Sequence, residues 1–110
     1  MIIDREENIT IITQEKASTI ELIKKMEVLY KRFKNDNVIV NLSALNSISI
    51  NEIIEFLQLS NAHRSKSHSF VIVNNQIGLG EIPDELIIVP TLKEAYDVIE
   101  MEEMERDLEF

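Results

Sequence analysis

The chain alternates between short continuous apolar runs and longer stretches in which apolar residues recur every three or four positions. Val38-Ile39-Val40, Phe70-Val71-Ile72-Val73 and Leu86-Ile87-Ile88-Val89 are unbroken and largely β-branched. Strands buried on both faces, as in a parallel sheet between helices, carry that signature. Ile9 to Thr13 and the opening Ile2-Ile3 read as a short N-terminal pair separated by a polar turn. Helical spacing marks three other stretches. Ile20, Ile23, Met26, Tyr30 and Phe33, widened by Leu22 and Leu29, predict a helix from about Thr19 to Lys34, stopped by Asn35-Asp36-Asn37. Ile50, Ile53, Ile54 and Leu57 predict a second, from Ile50 to about Ala62. Leu92, Ala95, Tyr96 and Ile99 predict a third, from Leu92 past Ile99.

Each helix opens on the same device. Ser18 precedes Glu21 by three residues, Ser49 precedes Glu52, and Thr91 precedes Glu94. In such a capping box the hydroxyl accepts from the third helical amide and the glutamate returns to the cap amide. The element order β-β-α-β-α-β-β-α then predicts an α/β sandwich. Its sheet is mostly parallel, with a short N-terminal antiparallel edge and amphipathic helices. One connection is unusual. Asn74 to Glu85 joins two parallel strands in about a dozen residues containing Gly78, Gly80 and Pro83, which leaves room for one helical turn at most.

Composition narrows the function classes. The 110 residues fit one domain. With no cysteine, disulfides, thiolate nucleophiles and cysteine-based zinc sites are excluded. A net charge of −9 argues against nucleic acid and anionic membranes as partners. The apolar runs are too short to span a bilayer, and the acidic opening MIIDREENIT is unlike an export signal. A cytoplasmic chain without direct membrane insertion is the expectation. Six acidic residues crowd the last eleven positions: Glu100, Glu102, Glu103, Glu105, Asp107 and Glu109. Carboxylates at a helix C-terminus oppose its dipole, so this acidic tail from about residue 100 is expected to fray. The tail reads as a solvated helix end; the alternative is a docking surface for a basic partner, with Met101, Met104, Leu108 and Phe110 as apolar anchors between the charges.

Catalytic chemistry is not visible. His63 and His68 fall in a polar stretch at a spacing that does not share a helix face, and read as two surface-loop histidines. Gly78-Leu79-Gly80 lacks the third glycine and the long following helix of a phosphate loop. Asp84-Glu85 and Glu102-Glu103 read as solvated pairs with no burial to separate their pKa values. Asn8-Ile9-Thr10 and Asn41-Leu42-Ser43 match the glycosylation acceptor pattern, which a chain that is not exported does not use. No serine has a His–acid partner set. The expectation is therefore no enzyme, no catalytic residue, no metal and no cofactor.

One stretch does more than build the fold. Val38 to Leu57, VIVNLSALNSISINEIIEFL, is a buried strand, a connecting turn and a capped amphipathic helix. It resembles the signature segment of the STAS domain, the family of bacterial anti-sigma factor antagonists and sulphate-transporter tails. Leu86 to Val89, followed by Pro90-Thr91-Leu92-Lys93-Glu94-Ala95, resembles that family's closing strand and helix. The resemblance implies a single STAS-like domain over residues 1–110. In that family the strand ends in Asp-Leu-Ser and the helix opens with Asp-Ser-Ser-Gly, whose second serine is phosphorylated by a partner kinase. Here the strand-end position is Asn41, and the quartet is Ser49-Ile50-Asn51-Glu52. The phosphorylation-site equivalent is thus Asn51, which has no hydroxyl; Ser49 and Ser47 are the nearest alternatives.

The resemblance implies a protein-binding regulator, degenerate at its switch. Asn41, Ser43, Asn46, Ser49, Asn51, Glu52 and Glu55 would line the partner surface. The implied partner is an anti-sigma factor or a related ATPase-kinase. The alternative is a STAS-type structural subunit docked on the ATPase of a membrane transporter. A homodimer is a further partner that this reading admits.

Overall fold

The computed structural model describes residues 1–15, 18–45, 48–77, 80 and 82–108. Five strands lie side by side in chain order: β1 (Ile2–Glu6), β2 (Ile9–Thr13), β3 (Asn37–Asn41), β4 (Phe70–Val73) and β5 (Ile87–Val89). The β1–β2 pair is antiparallel and the three other pairs are parallel, with Ile11 opposite Ile39, Ile39 opposite Val71 and Val71 opposite Ile87. The protein is an α/β fold with a mostly parallel sheet and an antiparallel edge.

Alternation along the strands sorts the core into two clusters, because successive side chains of a strand point to opposite faces. Ile12, Val38, Val40, Phe70, Ile72 and Ile88 share one face with Leu22, Met26 and Phe33 of α1 (Thr19–Phe33), Ile53 of α2 (Ile50–Ile54), and Phe56. Ile11, Ile39, Val71 and Val73 share the other with Ala95 and Ile99 of α4 (Leu92–Leu108). Being covered on both sides is what makes β3 and β4 read as unbroken apolar runs.

All three predicted caps use their hydroxyls. Ser18 Oγ accepts from the Glu21 amide at 3.3 Å, and Thr91 Oγ1 accepts from the Glu94 amide at 3.2 Å. The complete box forms at Ser49, whose Oγ accepts from the Glu52 amide (3.2 Å) while its own amide donates to Glu52 Oε1 (3.1 Å).

Four expectations need correction. The second predicted helix is two, α2 and α3 (Leu57–Arg64). A tight Phe56 N–H to Ile53 C=O bond of 3.0 Å divides them, an i→i−3 contact of the 3₁₀ type. The inward row is Ile53, Phe56, Ser60 and His63, all without exposed surface, while Ile50, Ile54 and Leu57 are half-buried. In α1 the inward row runs through Leu22, and Ile20 is exposed. Where a frayed tail was expected, the described acidic stretch is helical to Leu108, and side chains from elsewhere bind two of its carboxylates, Glu102 and Glu103. Finally, His63 is a helical core residue and not a loop residue. The β4–β5 connection follows expectation. No α-helix occurs among its described residues, and Ile77, Ile82 and the buried Leu86 pack against the first cluster where a crossover helix would lie.

Candidate functional site

The predicted partner surface lies at the carboxyl end of β3 and the start of α2. Asn41 closes β3 half-buried, and its Oδ1 accepts from the Ser43 amide at 3.1 Å, turning the chain out of the sheet. Ser43 is exposed in that turn. Ser49, Asn51 and Glu55 are exposed on α2 and just beyond it, whereas Glu52 is half-buried. Glu52 is also committed within the chain: Oε1 takes the Ser49 amide, and Oε2 lies 3.5 Å from Thr19 Oγ1 on α1. Asn46 lies outside the described residues, as do Ser47, Gly78, Glu109 and Phe110. Asn41 pairs with Ser43 and Ser49 pairs with Glu52, but no hydrogen bond joins the two pairs among the described residues.

A residue that sequence reasoning passed over ties this loop down. Asn74, buried at the end of β4, donates through Nδ2 to the carbonyls of Leu42 (3.0 Å) and Leu45 (3.1 Å). Its Oδ1 accepts from the Gln76 amide at 2.8 Å. One side chain therefore restrains both the loop after β3 and the loop after β4. Asn74→Ala is expected to cost about 2 kcal/mol, since it removes three hydrogen bonds: those to the Leu42 carbonyl, which keeps the Leu45 amide, to the Leu45 carbonyl, and from the Gln76 amide. Urea unfolding checks the cost, and amide exchange should quicken over residues 42–45; an unchanged midpoint would contradict this role.

A second polar group, at the amino end of the same strands, was also missed. Arg5 binds both oxygens of Asp36 (Nε 2.8 Å, Nη2 3.0 Å), and Thr10 Oγ1 donates to Asp36 Oδ2 at 2.8 Å. The Arg5 bonds hold the Asp36 carboxyl below its ordinary range, against the opposing effect of burial. His63 Nε2 lies 2.7 Å from the Asp36 carbonyl, and Nδ1 lies 2.8 Å from the Tyr30 hydroxyl. A carbonyl only accepts, so Nε2 carries the proton and Tyr30 donates to Nδ1. Burial pushes the His63 pKa down; the Asp36 carbonyl opposes this, while nearby His68 and Lys66 add to it. Lys66 Nζ sits 4.8 Å above the Tyr30 ring.

Beside this group, Glu102 reaches in from α4. Arg64 binds it at 2.6 Å (Nη2 to Oε2) and 3.3 Å (Nη1 to Oε1), and Ser69 Oγ donates to Oε1 at 2.6 Å. Burial alone would raise the Glu102 pKa, but Arg64, Ser69 and the charge of Arg106 outweigh it and the net shift is downward. Arg106 extends to Ser69 Oγ and Asn37 Oδ1, each at 3.3 Å. Glu103, which read as solvated with Glu102, accepts from Asn8 Nδ2 at 2.7 Å.

This second group ties the amino ends of the strands to α1, α3 and α4. The His63 ring has 0% exposure, so no substrate can touch it. No cluster of three His, Asp or Glu side chains suited to a metal occurs among the described residues. No helix there is long and apolar enough to cross a membrane. What the carboxyl end of β3 offers is a restrained, exposed polar surface. Compared with known proteins, the chain matches no protein-family model and no curated protein.

Proposed function

We propose that this chain is a non-enzymatic, protein-binding regulator of the STAS type, whose partner rests on the loop after β3 and the start of α2. The observation that carries the reading is how that surface is held. Asn74, the Asn41 turn and the Ser49–Glu52 box restrain the backbone, while Ser43, Asn51 and Glu55 remain exposed. A contact surface fixed before binding loses less conformational entropy when a partner docks. The order of strands and helices supports the same reading, because a capped helix follows directly on the central parallel strand.

The chemistry of the surface implies constitutive binding. Asn51 offers an amide where the family carries the serine that is phosphorylated, so no phosphate of about −2 charge can be placed there to expel the partner. The Ser49 hydroxyl is engaged as a helix cap.

A photo-crosslinking amino acid at Asn51, used in the native host, tests the proposal. Covalent capture of an anti-sigma factor or an ATPase-kinase is the expected result. Capture of a transporter ATPase would instead make the chain a structural subunit. Crosslinks that form from Lys93, an exposed position on α4, but never from Asn51 would overturn the proposal.

A further inference from the structure

The large apolar side chains left exposed among the described residues fall into two groups. Met1, Ile2, Ile20 and Val28 belong to the N-terminal strand and α1; Met101, Met104 and Leu108 belong to α4. These helices cover opposite faces of the sheet, so the two groups point away from each other. On α4, Met101, Met104 and Leu108 are 61%, 59% and 83% exposed, and their spacing puts them in one stripe. The helix is thus apolar on two sides, inward through Ala95 and Ile99 and outward through this stripe. On α1, Val28 is 81% exposed. With Met1, Lys24, Lys25 and Leu29 it lines a shallow, apolar-walled depression of about 330 Å³.

Charge distinguishes the two surfaces. Residues 19–34 hold five of the eleven basic residues against two acidic ones, while α4 holds seven acidic residues against two basic. Lys24, Lys25 and Arg32 are exposed around Val28, and Glu100, Glu105 and Asp107 are exposed around the α4 stripe. None of these six makes an ion pair with another described residue. From Met101 to Leu108 the stripe runs about 10 Å along its helix, close to the roughly 12 Å from Lys24 to Arg32.

We propose that the chain associates with itself head to tail, the Met101–Met104–Leu108 stripe of one copy seating on the Val28 depression of the next. The carboxylates flanking the stripe then meet the cations flanking the depression. A two-fold dimer is disfavoured by the same charges, because α4 against α4 would oppose carboxylates and α1 against α1 would oppose cations. The contact is therefore heterologous, and each copy keeps one surface free to add another. At physiological ionic strength the net repulsion between chains is screened beyond about 8 Å, whereas touching pairs are screened less. Neither surface includes the α2 region, so this inference stands or falls apart from the function proposed above.

Sedimentation velocity over a concentration series tests it. The chain is expected to form dimers and larger species that recede in high salt. Lys24→Glu/Lys25→Glu closes one surface, and Met104→Glu/Glu105→Lys closes the other; all four positions are exposed, and circular dichroism verifies that both variants fold. Each variant alone should be monomeric. Mixed in equal amounts, they should form a dimer and nothing larger, since each retains the surface the other lacks. A monomeric parent chain, a dimer that neither variant weakens, or a mixture that stays monomeric would overturn the proposal.

Discussion

His63→Ala is expected to lower stability by about 3 kcal/mol, a large loss for a histidine near the end of a helix. The ring has no exposed surface and stands edge-on to Tyr30 and Phe70. Its removal leaves a cavity in the first core cluster, and the Asp36 carbonyl loses its 2.7 Å donor. His63→Gln should recover part of the loss, because an amide nitrogen can stand near the Nε2 position. The pH dependence is diagnostic. Burial holds the folded-state pKa of His63 below its ordinary value. The unfolded chain therefore takes up a proton near pH 6.5, before the folded one does. The contribution is fully present above that pH and is lost as the pH falls through the folded-state pKa. Urea midpoints measured from pH 8 downward should decline below about pH 6.5, and His63→Gln should flatten that decline. An equally steep decline in the variant would assign the effect to other groups.

Glu102→Ala is expected to cost about 2–3 kcal/mol. Breaking a fully buried ion pair costs about 3–5 kcal/mol, and partial solvent access to Arg64 reduces that figure. The loss is also local. Without Glu102, Arg64 and Ser69 lose their common acceptor, and among the described residues the hydrogen bonds left to the last turns of α4 from other elements are those of Arg106 and Glu103. Amide exchange should therefore quicken from residue 102 to 108 while residues 92–99, packed on the sheet, stay protected. Protection unchanged along the whole helix would contradict the role given to Glu102. Asp36 and Glu102 both have lowered pKa values, so each loses its stabilisation as pH falls through the folded-state value, a loss that sets in at lower pH than that of His63.

Local chemistry carried much of the fold in the sequence. The inner strands were legible because burial on both faces leaves no polar alternation, and the helix starts because their caps are built from residues three apart. The interior of the second helical region was obscured by its own side chains. Ile53, Phe56, Ser60 and His63 follow helical spacing, but two of the four are polar, so an apolar pattern passes them by. The docked end of α4 was illegible for a different reason. Glu102 is paired with Arg64, 38 positions earlier, and accepts a hydrogen bond from Ser69, 33 positions earlier, and nothing local announces such partners. Asn74 was hidden in the same way, since its two acceptors lie about 30 residues upstream in a loop. The candidate surface was legible as a segment, because Asn41 to Glu55 is contiguous, but its restraint from β4 was not.

Hydrogen exchange of the chain with and without the partner captured from Asn51 tests the central claim most directly. Added protection is expected over residues 42–45 and 49–56, the loop and helix start that present Ser43, Asn51 and Glu55. Protection confined to α1 and α4, with those segments unchanged, would contradict it.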